Sequence, residues 1–110
     1  MEKNTKRIAG LKDIAKSIRR DVIKLAIDNQ DGHIAPSYSS VEILVSLYEE
    51  IMDEDDKFIL SKGHGCLSFY AMLIKKGLCP KISGHPAIEE KEGICCTTGS
   101  LGHGLPIGVG

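Results

Sequence analysis

The sequence lacks the features that mark several large classes of protein. Its 14 basic and 15 acidic residues leave a net charge of −1, whereas a nucleic-acid-binding domain usually carries a strongly basic face. No stretch approaches the roughly 20 apolar residues that a membrane-spanning helix needs. The N-terminus also has no apolar core of the length found in signal peptides. We therefore expect a cytoplasmic protein whose partners include neither nucleic acid nor a membrane.

The common metal and nucleotide motifs are also missing. The four cysteines form no C-x-x-C pair, and the closest histidine–cysteine pair is His64 with Cys66, although zinc sites usually contain two short ligand pairs. The cysteines are therefore expected to be reduced and partly buried. The glycines at 99, 102 and 104 do not give G-x-G-x-x-G, and no G-K-[ST] of a P-loop is present.

The apolar residues that are present predict a mostly helical chain. Helices are expected at 8–27, 40–52 and 65–76, from apolar positions spaced by three and four residues. Ser39 and Glu42 fit a capping box for the second helix, and Gly77 fits a C-cap for the third. Residues 57–60 and 94–98 are short apolar runs that suit strands or extended segments. A glycine-rich loop leading into a helix is expected after residue 98.

Charge is unevenly distributed along the chain. Eight basic residues lie within positions 1–24, and the segment "EEIMDEDD" at 49–56 is acidic. Runs of this kind usually form solvated faces, so two exposed charged surfaces are expected.

All four histidines follow a glycine, at His33, His64, His85 and His103. Glycine allows the backbone to approach a ligand closely, and an imidazole can donate or accept a proton near neutral pH. Any one of these residues could be an ordinary surface histidine in a loop. As a set, the four glycine–histidine pairs predict a ligand-facing site.

Four segments carry a resemblance to a known family. In order, they are "GHIAPSYSSVEILVSLY", "DDKFILSKGHGCLSFYAMLIKKG", "SGHP" and "TTGSLGHGLPIGVG". Together they resemble the beginning of the thiamine-diphosphate domain of transketolases, and above all the separate N-terminal subunit of two-chain enzymes. The resemblance covers about residues 10–110. It implies an α/β, thiamine-diphosphate-binding fold of which residues 1–110 form only the helix-rich N-terminal portion.

The resemblance also implies roles for individual residues. His33 would face the substrate and help to move protons at its hydroxyls, and His64 would reach the cofactor diphosphate and the reacting carbons. His85 would hydrogen-bond the donor ketose near its carbonyl. Gly99 and Leu101 would hold the aminopyrimidine ring of the cofactor. The family commonly has glutamine at the position of His103, so this histidine is a weaker candidate.

One part of the family pattern is absent from these 110 residues. The family binds Mg²⁺ and the diphosphate through a later Gly-Asp-Gly motif with a downstream asparagine, so no metal ligand is expected in this chain. The glutamate that activates the aminopyrimidine also lies in a region that this chain lacks. Because the sequence stops at Gly110 within an apolar segment, we expect a fragment, a truncated gene product or one piece of a larger assembly.

The expected function is therefore that of the N-terminal part of a transketolase-like enzyme. Such an enzyme transfers a two-carbon ketol unit between sugar phosphates with thiamine diphosphate and Mg²⁺. The chain would be inactive without a separate C-terminal portion or partner polypeptide, and a second protomer is also expected. Two alternatives remain open: a non-catalytic remnant or interaction module that retains the fold, and another thiamine-diphosphate enzyme that acts on a sugar-like donor.

Overall fold

A computed structural model describes residues 2–82, 86, 88–94 and 104–110 of the chain. The α-helices among them are α1 (Glu2–Asn29), α2 (Ile34–Tyr38), α3 (Val41–Ser46), α4 (Cys66–Lys75) and α5 (Gly104–Val109). A π-helical turn, Leu47–Ile51, continues α3, and a 3₁₀ turn, Gly63–Gly65, leads into α4. The three helices expected from apolar spacing are therefore confirmed, and α2 is an additional helix that the spacing did not predict.

Helix α1 packs one apolar stripe against the rest of the chain. Ile18 and Val22 are fully buried, whereas Ile8 and Ile27 at the two ends of the stripe remain exposed. The helix extends beyond the expected 8–27 at both ends. It stops where Gln30 adopts a left-handed conformation with φ of 51°, which breaks the helical hydrogen-bond pattern. This stop turns the chain toward His33.

The start of α3 differs from the expected capping box. Ser40, not Ser39, is the N-cap residue, and it makes no side-chain hydrogen bond to the helix backbone. The Ser39 hydroxyl instead donates to the carbonyl of Pro36, at 3.0 Å. The capping-box prediction is therefore wrong, because the Ser39 side chain is engaged by the segment that precedes it.

Helix α4 lies at the centre of the core. All its residues from 66 to 73 are buried, as expected of a helix that is covered on every side by other elements. Gly77 has φ of 89°, which confirms that it ends the helix as a left-handed C-cap. No helix in the described part of the chain is both long and apolar enough to cross a membrane.

Both phenylalanines of the chain join Tyr48 in one aromatic cluster. The ring centroids of Phe58 and Phe69 are 5.1 Å apart, and those of Tyr48 and Phe58 are 5.8 Å apart, both in edge-to-face geometry. Such pairs add roughly 0.5–1.5 kcal/mol beyond their buried area. Through the contact of Phe58 with Phe69, the cluster holds the segment before the 3₁₀ turn against α4.

Two ion pairs connect α1 to the helical segment at 41–51. Arg7 pairs with Glu50, and Arg19 pairs with Glu42. Hydrogen bonds from these guanidinium groups hold the pKa of the Glu50 and Glu42 carboxyls below their ordinary value. The basic and acidic runs are thus partly paired with each other, although exposed pairs of this kind contribute at most about 1 kcal/mol.

The described residues contain no β-strand. Their only ladder contact is an isolated antiparallel bridge between Glu89 and Ile94, and residues 57–60 have no regular secondary structure. Helix α5 confirms the helix that was expected near the end of the sequence. The α/β class of the whole domain remains a prediction, because the described residues form its helical part.

Candidate functional site

The structure describes two of the predicted site residues. His33 is the N-cap residue of α2, and His64 is the middle residue of the 3₁₀ turn before α4. His85, Gly99, Leu101 and His103 lie outside the described residues, so their roles remain predictions.

His33 and His64 come together although about 30 residues separate them in sequence. Their ring centroids are 5.6 Å apart, with an angle of 53° between the ring planes. Both side chains are exposed, so each can reach a ligand from solvent. The structure therefore places two of the four glycine–histidine pairs at one point of the surface.

The close packing of Gly65 against α2 explains how these two loops meet. A Cβ atom built on Gly65 would lie 2.9 Å from the carbonyl oxygen of Pro36, which is closer than real Cβ contacts. The Cβ position is fixed by the backbone of Gly65, and the carbonyl belongs to the backbone of Pro36. Neither can therefore move aside as a flexible side chain would. The second glycine of "SKGHG" is thus required for the approach of the His64 turn to the segment that carries His33.

This packing predicts opposite effects for two glycine-to-alanine substitutions. Gly65→Ala should lower the free energy of unfolding by about 1–3 kcal/mol, because the new methyl group overpacks against Pro36. Gly10→Ala is the matched control, since a Cβ at Gly10 in α1 meets nothing within 4 Å. There alanine should raise stability by about 0.5–1 kcal/mol through its better helix propensity.

Chemical denaturation of the two variants and the parent chain measures both changes. A Gly65→Ala protein as stable as the parent would show that the close approach to Pro36 is not needed.

Lys62 forms a second connection between the two loops. Its ammonium group donates to the carbonyl oxygen of Pro36, at 2.9 Å, and also to the hydroxyl of Ser39. This lysine was not among the site residues predicted from the sequence, although it lies within "SKGHG". Its position next to a glycine–histidine pair could have marked it as a site residue. Its hydrogen-bond partners could not be predicted in this way, because they lie 23 and 26 residues earlier in the chain.

Ser61 connects the His64 turn to the last of the resemblance segments. Its hydroxyl accepts a hydrogen bond from the backbone N–H of Gly104, at 3.2 Å. A Cβ on Gly104 would lie 2.6 Å from the Cβ of Ser61, so this contact also requires glycine. The first residue of "SKGHG" therefore contacts the last residue of "GSLGHG", as a shared ligand site would require.

Asp31 is a further site residue that the sequence analysis did not single out. Its Oδ1 atom lies 2.8 Å from Nδ1 of His33 and accepts a hydrogen bond from the backbone N–H of His33, at 2.9 Å. The D-x-H spacing could have predicted this role, because an aspartate can hydrogen-bond to the backbone N–H two residues later.

Cys66 directly follows the 3₁₀ turn, but its thiol is not expected to be reactive. Burial raises the pKa of its thiol to about 11, and the nearby charge of Asp31 acts in the same direction. The thiol is therefore protonated at neutral pH, and it packs as a small apolar group instead of acting as a nucleophile. Within the described residues, no three histidine, cysteine, aspartate or glutamate side chains come together as a metal site.

The donors at this site suit an anionic ligand. The exposed imidazole of His64 can donate a hydrogen bond to a ligand, and the ammonium of Lys62, two residues earlier, adds a positive charge. The residues present thus fit the diphosphate end of a cofactor.

Comparison with known proteins identifies the family. The family described as "Transketolase, thiamine diphosphate binding domain" matches residues 11–110, which is nearly the whole chain. The chain belongs to this family, as the four resemblance segments predicted. No solved structure matches the chain.

Curated relatives include whole enzymes and the subunits of others. The chain is 36% identical to a subunit of the apulose-4-phosphate transketolase from Actinobacillus succinogenes, over 87% of this chain and 43% of that protein. It is 33% identical to the 6-deoxy-6-sulfo-D-fructose transketolase subunit SqwG of a Clostridium species, over 88% of this chain and 42% of that protein. A transketolase from Buchnera aphidicola is 31% identical, over 90% of this chain and 18% of that protein. The chain therefore spans about two fifths of the length of the two relatives that are named as subunits.

Proposed function

We propose that this chain supplies the N-terminal part of a thiamine-diphosphate site in a transketolase that acts on sugar phosphates. The observation that carries the proposal is the 5.6 Å approach of the His33 and His64 rings. These residues belong to two separate segments of the resemblance, and nothing in their local sequence requires them to meet. Within the proposed enzyme, residues 1–110 form a portion of one domain.

The residues of this chain bind, orient and exchange protons. His64 donates a hydrogen bond to the diphosphate and lies close to the reacting carbons, while His33 moves protons at the substrate hydroxyls. His85 hydrogen-bonds the donor sugar, and Gly99 with Leu101 holds the pyrimidine ring. Lys62 keeps the two histidine loops together. Thiamine diphosphate, when bound, would supply the carbanion-stabilising chemistry of the transfer.

A second polypeptide or chain segment completes the site. Two of the relatives are named as one subunit of an apulose-4-phosphate transketolase, which implies a further subunit in those enzymes. We infer a further subunit here as well, and the Mg²⁺-binding Gly-Asp-Gly motif that these 110 residues lack would lie in the part of such a subunit that the chain does not match, since it covers only 43% of the Actinobacillus succinogenes protein. A second protomer would supply the glutamate that activates the pyrimidine.

A reconstitution assay tests this proposal. The chain is combined with a polypeptide from the same genome that carries the Gly-Asp-Gly segment, together with thiamine diphosphate and Mg²⁺. A ketose phosphate and an aldose phosphate are then supplied, and mass spectrometry follows the sugars. We expect an acceptor that is two carbons longer and a donor that is two carbons shorter, with neither polypeptide active alone. Absence of this transfer for every phosphorylated pair would contradict the proposal.

A related enzyme acting on another sugar-like donor is the second candidate. One relative favours it, because that protein is named as a 6-deoxy-6-sulfo-D-fructose transketolase subunit, and the sugar in its name carries a sulfo group. In the same assay, transfer from a sulfonated or unphosphorylated ketose, but not from a ketose phosphate, would select this candidate.

A further inference from the structure

Asp31 makes two hydrogen bonds to the same histidine. Oδ1 of Asp31 lies 2.8 Å from Nδ1 of His33, and it also accepts the backbone N–H of that residue, at 2.9 Å. The Asp31 side chain is only 11% exposed, while that of His33 is 50% exposed. One nitrogen of the ring is therefore held by a mostly buried carboxylate, while half of the side-chain surface is exposed and the ring lies 5.6 Å from that of His64.

The position of Asp31 is fixed by the end of α1. Its backbone N–H donates to the carbonyl oxygen of Ala26, at 3.0 Å. Asp31 is thus anchored on the helix side and extends its carboxylate to His33. Movement of the imidazole away from this carboxylate would break the bond to Nδ1.

We propose that Asp31 is a positioning residue that keeps the proton of neutral His33 on Nδ1 and leaves Nε2 as the proton acceptor. A carboxylate can only accept hydrogen bonds, so the ring nitrogen that faces it must carry the hydrogen. The bond made by one nitrogen of an imidazole sets which tautomer is present. This inference rests on the proposed function, because it names the atom of His33 that would exchange protons with a substrate hydroxyl.

The alternative is that Asp31 only caps the turn before α2 through the backbone of His33. In that case the ring would sample both tautomers, and loss of the carboxylate would act on stability alone. Two variants separate these roles. Asp31→Ala removes both bonds, whereas Asp31→Asn keeps an oxygen for the backbone N–H and removes the charge that strengthens the bond to the ring.

Nitrogen-15 NMR of the His33 ring in alkaline buffer gives a readout that needs neither cofactor nor partner. In the parent chain we expect the proton on Nδ1. In Asp31→Ala we expect most of it on Nε2, the form that a free histidine side chain prefers in water, and Asp31→Asn should lie between. Asp28→Asn is the matched control, because Asp28 is exposed on α1 three residues earlier, and it should leave the tautomer unchanged.

Two results would overturn the inference: a parent chain with its His33 proton mainly on Nε2, or an unchanged tautomer in the variants. If Asp31→Ala fails to fold, the shift in Asp31→Asn decides. In the reconstituted enzyme, Asp31→Asn should lower kcat roughly tenfold to a hundredfold with little change in KM, a loss typical of an orienting partner. A tautomer shift together with no turnover of the parent enzyme would reject the proposed function and leave the role of Asp31 in place.

Discussion

Turnover of the reconstituted enzyme should fall by roughly 10²–10⁴ when His64 is replaced by alanine, the range expected for a positioned proton-transfer group. The imidazole lies on the exposed side of the 3₁₀ turn, 5.6 Å from the ring of His33. Its proposed contacts are with the diphosphate and the reacting carbons. Loss of these contacts should act on kcat, which steady-state kinetics measures directly.

Stability measurements separate this effect from damage to the fold. Because the side chain of His64 is exposed, its removal should change the free energy of unfolding by no more than about 1 kcal/mol. Lys75→Ala is a suitable control, since Lys75 is exposed in the last turn of α4, the helix that follows His64. A His64→Ala enzyme with the turnover of the parent would refute the assignment of His64 to the active site.

The isolated chain should bind thiamine diphosphate far more weakly than the reconstituted enzyme does. In the described residues, the candidate donors to an anion are the exposed imidazole of His64 and a lysine whose ammonium already bonds to Pro36 and Ser39. No described cluster could hold the Mg²⁺ that would neutralise the diphosphate. A bound cation is often the largest local charge in such a site, so its missing ligands should dominate the loss of affinity.

Calorimetric titration with thiamine diphosphate and Mg²⁺ measures this difference. We expect no micromolar binding to the chain alone, and a gain of at least about a hundredfold, or about 2.7 kcal/mol, when the Gly-Asp-Gly polypeptide is added. Thiamine without its diphosphate is the matched control ligand, and it should gain much less. Micromolar binding of thiamine diphosphate to the 110-residue chain would contradict the prediction.

The helices could be predicted from sequence wherever their apolar stripes were long. The three-and-four spacing in α1 includes positions such as Ile18 and Val22 that are fully buried. Helix α2 has only five residues, with Pro36 at its centre, and it is too short to show a period. The capping-box prediction failed because Ser39 has a competing partner in the Pro36 carbonyl, which local sequence does not reveal.

The candidate site was predictable in its residue types but not in its geometry. The glycine–histidine pairs pointed to His33 and His64, yet their approach depends on Gly65 meeting the backbone of Pro36, which is a tertiary contact. Asp31 is local in sequence, but the pattern of glycines that marks the histidines does not include it. The role of Lys62 depends on hydrogen bonds to an earlier segment, and sequence spacing alone cannot predict such pairs.

The contacts that hold the site together have a consequence for the order in which the chain folds. Lys62 bonds to a carbonyl 26 residues earlier, and Gly104 bonds to a hydroxyl 43 residues earlier. Each contact requires closure of a loop, which costs entropy before any bond is gained, whereas α1 forms from neighbouring residues. The ligand site should therefore appear after α1 during folding.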